Sequence, residues 1–350
     1  MNGLFVGINS RGTTSQLRAR TLQQLMPHLK WQVIDTDESF LNCFRWARTL
    51  AYRTRLGPAV RAVNQSVMKA LSGNDFRAAW VDKGVCLYPE TIAEIRRRSE
   101  KMVHYTPDTA FLKNHSRYFN ATAGLYDLVV TTKSFELNSY RKLVPAEQLM
   151  LVTQSFDESL HYPRCSFAAK RPEATLIGLC EADRESCVRH LLNAGVSVAV
   201  GGRNWDRFLS KAGRTAGLRY LGPTVFGDEY AVALSGSQIG LGLLTRRFPE
   251  LHTTRTFEIP ACGTLLATPA ASETRSLFSE EEAVFFEDYG ELAGKLAQLM
   301  KTPELVERMA TAGYRRVQEG GFTNRSVLTQ ILQRLEMIAG FSSRGVPEHR

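Results

Sequence analysis

Residues 250–263 read ELHTTRTFEIPACG and lie between two strand-like apolar runs, at 238–244 and 264–268. Thr253 or Thr254 would cap a helix here, and the glycine that closes the stretch would end it, because these residue types favour those positions. The order strand, loop, helix, strand is typical of a crossover in a parallel α/β sheet. The stretch therefore predicts an α/β fold.

The start of this helix predicts an anion site. The first amides of a helix have no acceptor within it and carry a partial positive charge. Glu258 lies about one turn beyond Thr254 and Arg255 on the same helix face, so its carboxylate would accept hydrogen bonds from a ribose. Glu250 precedes Glu258 with seven residues between them. The same stretch also fits an ordinary crossover with two incidental glutamates.

The alternation continues outward to both ends of the chain, which predicts two parallel α/β halves. In the first half the predicted strands are Leu4–Ile8, Trp31–Ile34, Phe76–Val81, Met102–Tyr105, Tyr126–Thr131 and Gln148–Thr153. In the second half they are Thr175–Leu179, Val196–Val200, Leu218–Tyr220, 238–244, 264–268 and Ala283–Phe286. We expect a cleft between the halves, where ligands normally bind.

The domain boundaries follow from the aperiodic segment Asp157–Pro172, which we interpret as a linker. We expect an N-terminal domain over 1–165 and a C-terminal domain over 166–323. A helix over 324–340 would cross back to the N-terminal domain, and the tail 341–350 is predicted to be disordered.

Composition is that of a globular chain. The 350 residues are 43% hydrophobic and 23% charged, and no apolar run reaches the ~18 residues of a membrane span. The chain opens directly into a strand-like run, so we expect no signal peptide. The six cysteines contain no C-x-x-C pair, which favours reduced thiols, no zinc site and a cytoplasmic location.

The net charge of +9 is concentrated in the first half. Residues 1–165 hold 22 Lys and Arg against 14 Asp and Glu, whereas residues 166–350 hold 22 against 21. Such an excess favours an anionic membrane surface, a phosphorylated acceptor or nucleic acid, or is a basic surface without a specific partner. The segment Phe40–Leu71 is predicted to be helical, broken at Gly57-Pro58, with arginines among aromatic residues. It would lie on a membrane or be a solvated face above an apolar core stripe.

The loop after the first strand, residues 9–15, faces the ligand crevice in folds of this kind. Gly12 would let backbone approach a ligand, and Arg11 would reach an anion; the dinucleotide pattern G-x-G-x-x-G is absent. Asp35-Thr-Asp37 matches a D-x-D metal motif, but acidic residues after a second strand are commonly helix caps or ribose contacts. We predict no metal site.

Several motifs in order resemble one known family. They are WVDKG (80–84), HYTPD (104–108), YDLVVTTK (126–133), QSFDESLHYP (154–163), GGRNW (201–205), LGPTVFGDEYAVALSGSQIGLGLL (221–244), HTTRTFEIPACG (252–263), FFEDYGELAGKLAQLM (285–300) and AGYRRV (312–317). Together with the E-x7-E spacing, they are similar to the spore-maturation CgeB-like glycosyltransferases over most of the chain. The resemblance implies a GT-B fold, with two Rossmann-like parallel α/β domains facing a cleft, the donor nucleotide on the C-terminal one and the acceptor on the N-terminal one.

The resemblance also implies roles for residues of the C-terminal half. Glu258 would bind the nucleotide ribose, and Glu250 would contact hydroxyls of the donor sugar. The family often has an acid directly before its His-Thr pair, whereas Leu251 separates Glu250 from His252 here. The diphosphate would be held by the segment that comprises His252, Thr253, Thr254, Arg255 and Thr256. The loop from Gly222 to Val225 would frame the base.

Further candidates come from side-chain chemistry. Arg184 and Arg203 are predicted to hold the leaving diphosphate, since a guanidinium fork suits phosphate oxygens. In the first half, the loop that contains Asn9, Arg11 and Gly12 would line the acceptor side. His104 or Asp108 would serve as a base if one is used, although His104 would equally suit a structural position.

The function predicted is transfer of a sugar from a UDP- or GDP-linked donor to an acceptor, without metal or cofactor and with retention at the anomeric carbon. The acceptor would be anionic or membrane-associated. We expect a cytoplasmic protein, with a peripheral position at the membrane as one option. Alternatives are a nucleotide-sugar epimerase or hydrolase, and a non-catalytic or coat-type protein that binds nucleotide sugar. A nucleic-acid binder ranks last because no motif supports it, so nucleic acid enters only as an acceptor.

Overall fold

The computed structural model describes residues 1–213 and 215–337. Contacts divide the chain into two units: unit 1 comprises Met1–Thr153 and the segment that starts at Asn324, and unit 2 comprises Gln154–Thr323. The boundary predicted from the sequence lies after residue 165 instead. The residues after Gln154 associate with unit 2 because Phe156 forms a parallel bridge with Thr323 and is buried in the core of that unit. The predicted tail 341–350 lies outside the described residues.

Unit 1 is built on a parallel sheet of six strands, so the six strands predicted for the first half are confirmed. Their spatial order is β2-β1-β3-β4-β5-β6. The strands are β1 (Asn2–Gly7), β2 (Lys30–Asp35), β3 (Phe76–Asp82), β4 (Ser99–Thr106), β5 (Leu128–Thr131) and β6 (Leu149–Leu151). The central strands are buried along most of their length, as expected when helices cover both faces of a parallel sheet.

The helices of unit 1 differ from the prediction in the basic segment. They are α1 (Thr14–Leu25), α2 (Thr36–Leu41), α3 (Arg45–Thr54), α4 (Pro58–Leu71), α5 (Pro89–Arg97), α6 (Arg117–Thr122) and α7 (Leu137–Tyr140). The predicted break at Gly57-Pro58 is confirmed, since Gly57 has a φ of +101° that glycine adopts readily. A second break before α3 was not predicted: Phe44 has extended backbone and occupies the N-cap of α3.

Unit 2 is also a six-stranded parallel sheet, and its six predicted strands are confirmed. Their spatial order is β12-β11-β10-β7-β8-β9. The strands are β7 (Arg171–Ile177), β8 (Val198–Gly201), β9 (Leu218–Tyr220), β10 (Ser237–Leu241), β11 (Leu265–Pro269) and β12 (Ala283–Phe286). Strands β7 and β10, although distant in sequence, are neighbours in the sheet, so the chain reverses its direction of progression there. Such switch points are where open α/β sheets bind ligands.

Seven helices flank the sheet of unit 2 among the described residues. They are α8 (Ala182–Asn193), α9 (Trp205–Ala212), α10 (Gly227–Ser235), α11 (Arg255–Ala261), α12 (Ser272–Leu277), α13 (Tyr289–Leu299) and α14 (Pro303–Glu319). The sequence analysis did not predict α9 or α12. Three cysteines of unit 2, Cys180, Cys187 and Cys262, are buried free thiols, and burial raises the pKa of each to about 12.

The last described helix, α15, spans Asn324–Arg334 and belongs to unit 1. Its apolar face, which includes Leu328 and Ile331, joins the core on one side of the unit 1 sheet, and it packs against α1. The predicted helix extends to residue 340, and its last three positions, 338–340, lie outside the described residues. No helix within residues 1–213 or 215–337 combines the length and apolar character needed to span a bilayer.

Candidate active site

The stretch 250–263 forms the loop after β10 and the short helix α11, followed by β11. Thr254 occupies the N-cap, as predicted, but its side chain makes no capping hydrogen bond. Instead, the amide of Thr253 donates to Oγ1 of Thr256 at 3.1 Å. Gly263 ends the helix with a φ of +66°, which confirms the predicted stop.

Two arginines meet at the turn that follows β7. A Cβ built at Gly178 would clash with Nη1 of Arg184 and lie 3.6 Å from Nη2 of Arg255. Each guanidinium is fixed by a backbone carbonyl of this turn: Arg184 Nη1 donates to Leu179 O and Arg255 Nε donates to Ile177 O, both at 3.0 Å. Two positive charges from different helices therefore lie against one glycine at the end of a central strand.

Neither guanidinium has a carboxylate partner within the described part of the chain. Two of the acids close to Arg184 in sequence, Glu181 and Asp183, instead pair with Arg247 at 2.6 Å and Arg246 at 3.2 Å. Burial, and then the neighbouring charge of Arg255, lower the pKa of Arg184 below its usual value. Half-buried like charges that repel each other form a site suited to a dianion.

Glycines keep this turn open. Gly178 has a φ of +156°, and any side chain there would occupy the space of the Arg184 guanidinium. Gly202, at the end of β8, has a φ of +117°, and a Cβ there would clash with the carbonyl oxygen of Gly178. A bare backbone with two guanidiniums above it can approach phosphate oxygens closely.

Glu258 is more buried than the sequence interpretation assumes, with 6% of its surface exposed. Its Oε2 accepts a hydrogen bond from Tyr230 Oη at 2.7 Å. Its Oε1 lies 3.9 Å from Nε2 of His161, which is too far for a hydrogen bond. Among the described residues Oε1 thus accepts no hydrogen bond, and it is the oxygen of this carboxylate that keeps capacity for a further donor.

His252 has a structural position rather than a ligand-facing one. Its Nε2 accepts from the amide of Gln154 at 3.0 Å, and its Nδ1 contacts Oε2 of Glu273 at 2.5 Å. This pattern assigns the proton to Nδ1. The imidazole therefore fixes the loop before α11 to α12 and to the first residue of unit 2, so any contact of this residue with phosphate would come from its backbone.

The remaining predicted residues of unit 2 differ in exposure and in their contacts. The side chain of Arg203 is exposed, while its carbonyl accepts from the amide of Cys180. Val225 packs against Gly201, where a Cβ would be 2.9 Å from Val225 Cγ2, so the loop that starts at Gly222 is held beside β8. Glu250 is half-buried in the loop before α11.

In unit 1 the loop after β1 is joined to the start of α2. The amide of Asn9 donates to Oδ1 of Asp35 at 3.1 Å, and the same oxygen accepts from the amide of Asp37. Asp35 is the N-cap of α2, which confirms the capping role considered for the D-x-D motif. Gly12 has a φ of +78°, and the side chain of Arg11 is exposed.

His104 cannot act as the predicted base in this arrangement. Only 1% of it is exposed, and its ring stacks on Phe119 at 4.3 Å between centroids. Its Nε2 donates to Lys83 O at 3.0 Å, so the proton lies on that nitrogen. Burial lowers the pKa of His104 to about 4. The residue is a neutral core histidine, because the side chains that cover it leave no path to an acceptor.

Asp108 lies at the end of β4 and pairs with the ammonium of Lys83 at 2.7 Å. Burial alone would raise the pKa of Asp108, but Lys83 and the neighbouring Lys133 hold it below its usual value, which makes the carboxylate a weak base. Nearby, Arg18 and Asp82 form a buried ion pair with Nε to Oδ2 at 2.8 Å. Two cations at this end of the unit 1 sheet, Arg18 and Lys83, thus have carboxylate partners.

The structure brings together Arg184 and Arg255 at one point, and it places Glu258 further along α11 beside Tyr230. It does not bring the side chains of His252 or Thr256 to that surface, since both are buried. Sequence reasoning missed Gly178, Tyr230, His161 and Lys83. Gly178 had a detectable signal, because it is the glycine of the first strand-to-helix turn of the second half.

The comparisons with known proteins concern the family of part of the chain and its fold. Residues 184–333 match the family model described as glycosyl transferase-like. None of the curated proteins is similar enough in sequence to match. Sucrose-phosphate synthase from Thermosynechococcus elongatus is similar in structure, with a TM-score of 0.67, 13% identity, and 96% of this chain and 98% of that chain covered.

Anabaena HepE, solved with UDP and glucose, is similar over 97% of this chain and 100% of its own, with a TM-score of 0.64 and 13% identity. The HepE complex with UDP-glucose gives a TM-score of 0.63 at 14% identity over the same shares of the two chains. The fold is GT-B. This confirms the predicted fold class, with one Rossmann-like sheet in each unit. The narrower CgeB-like resemblance stays a prediction.

Proposed function

We propose that this GT-B protein is a glycosyltransferase whose donor is a nucleoside diphosphate sugar bound by unit 2. The observation that carries the proposal is the pair of guanidiniums, Arg184 and Arg255, fixed above Gly178 without a carboxylate partner. A diphosphate would supply the missing negative charge, and bidentate contacts would orient it. The match of residues 184–333 to a glycosyl transferase-like family supports this assignment.

We propose UDP as the nucleotide, because HepE, which shares the fold, was solved with UDP and with UDP-glucose. The pentose would lie beside α11, where Oε1 of Glu258 would accept a hydroxyl hydrogen bond while Tyr230 holds Oε2. The exposed loop at Gly222–Val225 would frame the base. Glu250 would contact the sugar, as its place in the E-x7-E spacing suggests.

In the proposed reaction, the bond between the anomeric carbon and the diphosphate oxygen breaks, and an acceptor oxygen forms the new bond to that carbon. Negative charge grows on the departing diphosphate, where the two guanidiniums are already oriented to stabilise it, so they would replace a divalent cation. The acceptor hydroxyl proton would pass to a phosphate oxygen of the leaving group. This route suits retention and needs no side-chain base, which fits the burial of His104 and the ion pairing of Asp108.

The test is binding of UDP and UDP-sugars by calorimetry, followed by release of UDP in the presence of EDTA and a panel of acceptors. We expect Arg184→Met and Arg255→Met each to reduce turnover by about 10²–10³-fold, as loss of one preorganised donor does. Glu258→Gln should weaken UDP binding with a smaller effect on binding of inorganic diphosphate, because it would contact only the pentose.

The matched control is Arg189→Met, which removes an exposed arginine from the same helix, α8, and should leave UDP binding unchanged. Equal UDP affinity in wild type, Arg184→Met and Arg255→Met would overturn the proposal. Binding of UDP-sugar without transfer to any acceptor would favour a binding protein, and donor conversion without acceptor would favour an epimerase or hydrolase.

A further inference from the structure

Helix α3 of unit 1 has its apolar residues on the wrong side for a core helix. Its buried positions are two alanines, Ala47 and Ala51, which pack on Ala59 and Val60 of α4. The large side chains point away from that contact: Phe44 is 78% exposed, Trp46 61% and Tyr52 63%. The exposed face of α3 therefore differs from an ordinary solvated helix face, because its aromatic residues are exposed rather than buried.

Arginines share this outer face. Arg45, Trp46, Thr49, Leu50 and Arg53 line a shallow groove along it, and their spacing of three and four residues places them on one side of a helix. Residues this large and apolar are seldom grouped on the surface of a protein without a binding role. The exposed face of α3 therefore combines large apolar side chains with permanent positive charges.

The charge around α3 is one-signed over a long stretch. Residues 39–74 contain six Lys and Arg and no Asp or Glu. Within residues 1–213 and 215–337, none of the ion pairs involves Arg45, Arg48 or Arg53. Arginines that have no intramolecular partner are available to an external anion.

We infer that α3, with Phe44 before it and Leu56 after it, docks on a membrane surface that carries anionic phospholipids. The guanidiniums would contact lipid phosphates, while Phe44, Trp46, Leu50 and Tyr52 would enter the boundary between headgroups and acyl chains. Trp and Tyr favour this boundary because they have an apolar body and a polar edge. A nucleic acid would use the charge, but it would gain little from the aliphatic Leu50 and Leu56, so the observations favour lipid.

The inference goes beyond the proposed sugar transfer, and its test needs no donor. The full chain would be sedimented with vesicles of phosphatidylcholine alone or mixed with phosphatidylglycerol. We expect binding to the anionic vesicles only. The triple variant Arg45→Gln, Arg48→Gln, Arg53→Gln should bind them about a hundredfold more weakly, since each such arginine contributes a severalfold factor. Phe44→Ser with Trp46→Ser and Tyr52→Ser should reduce binding strongly even at low salt.

The matched control removes three exposed positive charges elsewhere in unit 1, with Arg20→Gln, Arg141→Gln and Lys142→Gln. It should retain binding to within a few fold. An equal loss in this control would show that net charge alone is responsible and would overturn the inference. So would anionic-vesicle binding that is insensitive to the aromatic variant, or binding of duplex DNA in preference to vesicles.

Trp46 offers a positional readout, because, of the four tryptophans, Trp80 and Trp205 are buried in the cores and Trp31 is half-buried against the core of unit 1. We expect brominated acyl chains to quench the fluorescence of the wild-type chain on anionic vesicles. Trp46→Leu should keep vesicle binding and lose most of this quenching. Quenching that is unchanged in Trp46→Leu would mean that another surface contacts the bilayer, and the inference would fail.

Discussion

The two sheets end in opposite electrostatic arrangements. In unit 1 two cations beside the strand ends have carboxylate partners, with Arg18 bound to Asp82 and Lys83 bound to Asp108. In unit 2, Arg184 and Arg255 lie together, and neither has a carboxylate partner within residues 1–213 and 215–337. Two acids close to Arg184 in sequence, Asp183 and Glu181, are instead held by Arg246 and Arg247.

This difference suggests two roles for buried cations: those with a carboxylate partner stabilise the fold, and those without one are suited to bind a ligand. A buried cation beside its own carboxylate is already compensated and has little to gain from an external anion. Two cations that lack a carboxylate partner within the described residues are stabilised by the negative charge of a bound ligand. On this basis we propose unit 2 as the anion-binding unit.

The largest expected effect on stability comes from removing the carboxylate partner of a cation in unit 1, so that this cation is unpaired, as those of unit 2 are among the described residues. Asp82→Asn leaves the buried guanidinium of Arg18 without its counterion, which should destabilise unit 1 by roughly 3–5 kcal/mol. Hydrogen exchange of core amides, measured in urea, would report the two units separately. Unit 2 should be unaffected.

The control for this change is Glu100→Gln, which breaks the exposed pair between Arg77 and Glu100 and should cost no more than about 1 kcal/mol. Replacing both members of the buried pair, as Arg18→Met with Asp82→Leu, should recover most of the loss. If Asp82→Asn costs no more than Glu100→Gln, the pair is not structural.

A second prediction concerns acid sensitivity. His104 of unit 1 has a folded pKa of about 4 because it is buried, against about 6.5 in an unfolded chain. The unfolded state therefore binds a proton first as pH falls, and stability is lost between these two values, by up to about 3 kcal/mol. Above pH 6.5 the residue has no such effect.

Unfolding of unit 1 between pH 7 and pH 4 would check this. His104→Gln, which retains a donor for the carbonyl of Lys83, should flatten the pH dependence, while the exposed His115→Gln should not. An unchanged pH slope in His104→Gln would place the acid sensitivity elsewhere.

The smallest effect tests why the unit 2 cations lack a partner. Arg247→Gln frees Glu181, which then can turn to Arg184 and compete with the donor. We expect UDP to bind up to about fivefold more weakly, since a surface ion pair contributes roughly 0.2–1 kcal/mol. Adding Glu181→Gln should restore the affinity; persistent weakness in the double variant would mean that Arg247 contacts the nucleotide itself.

The strands could be predicted from sequence because each is a short apolar run with turn residues around it. Runs such as Leu4–Ile8 and Ala283–Phe286 coincide with β1 and β12 to within two residues. Short helices escaped prediction because fewer than three turns give little periodicity, as in α12. The break before α3 escaped because Phe44 is not a residue type that marks helix starts.

The site could be predicted only as a set of residue types. Arg184 and Arg255 were recognised as cations, but their meeting over Gly178 depends on the neighbouring positions of β7 and β10 in the sheet. The inward turn of His104 follows from its position on β4, where the aromatic residues of two later segments cover it. Sequence spacing does not contain such information.

The parallel bridge between Phe156 and Thr323 brings the start and the end of unit 2 next to each other. Unit 2 is thus a single uninterrupted insert within unit 1, and its two ends are already neighbours. A gene fragment for residues 154–323 would encode the whole sheet of unit 2 with nothing to reconnect. Joining Thr153 to Asn324 through a short linker would keep the described residues of unit 1 on a second polypeptide, so that the proposed donor binding and the proposed lipid binding could be assayed separately.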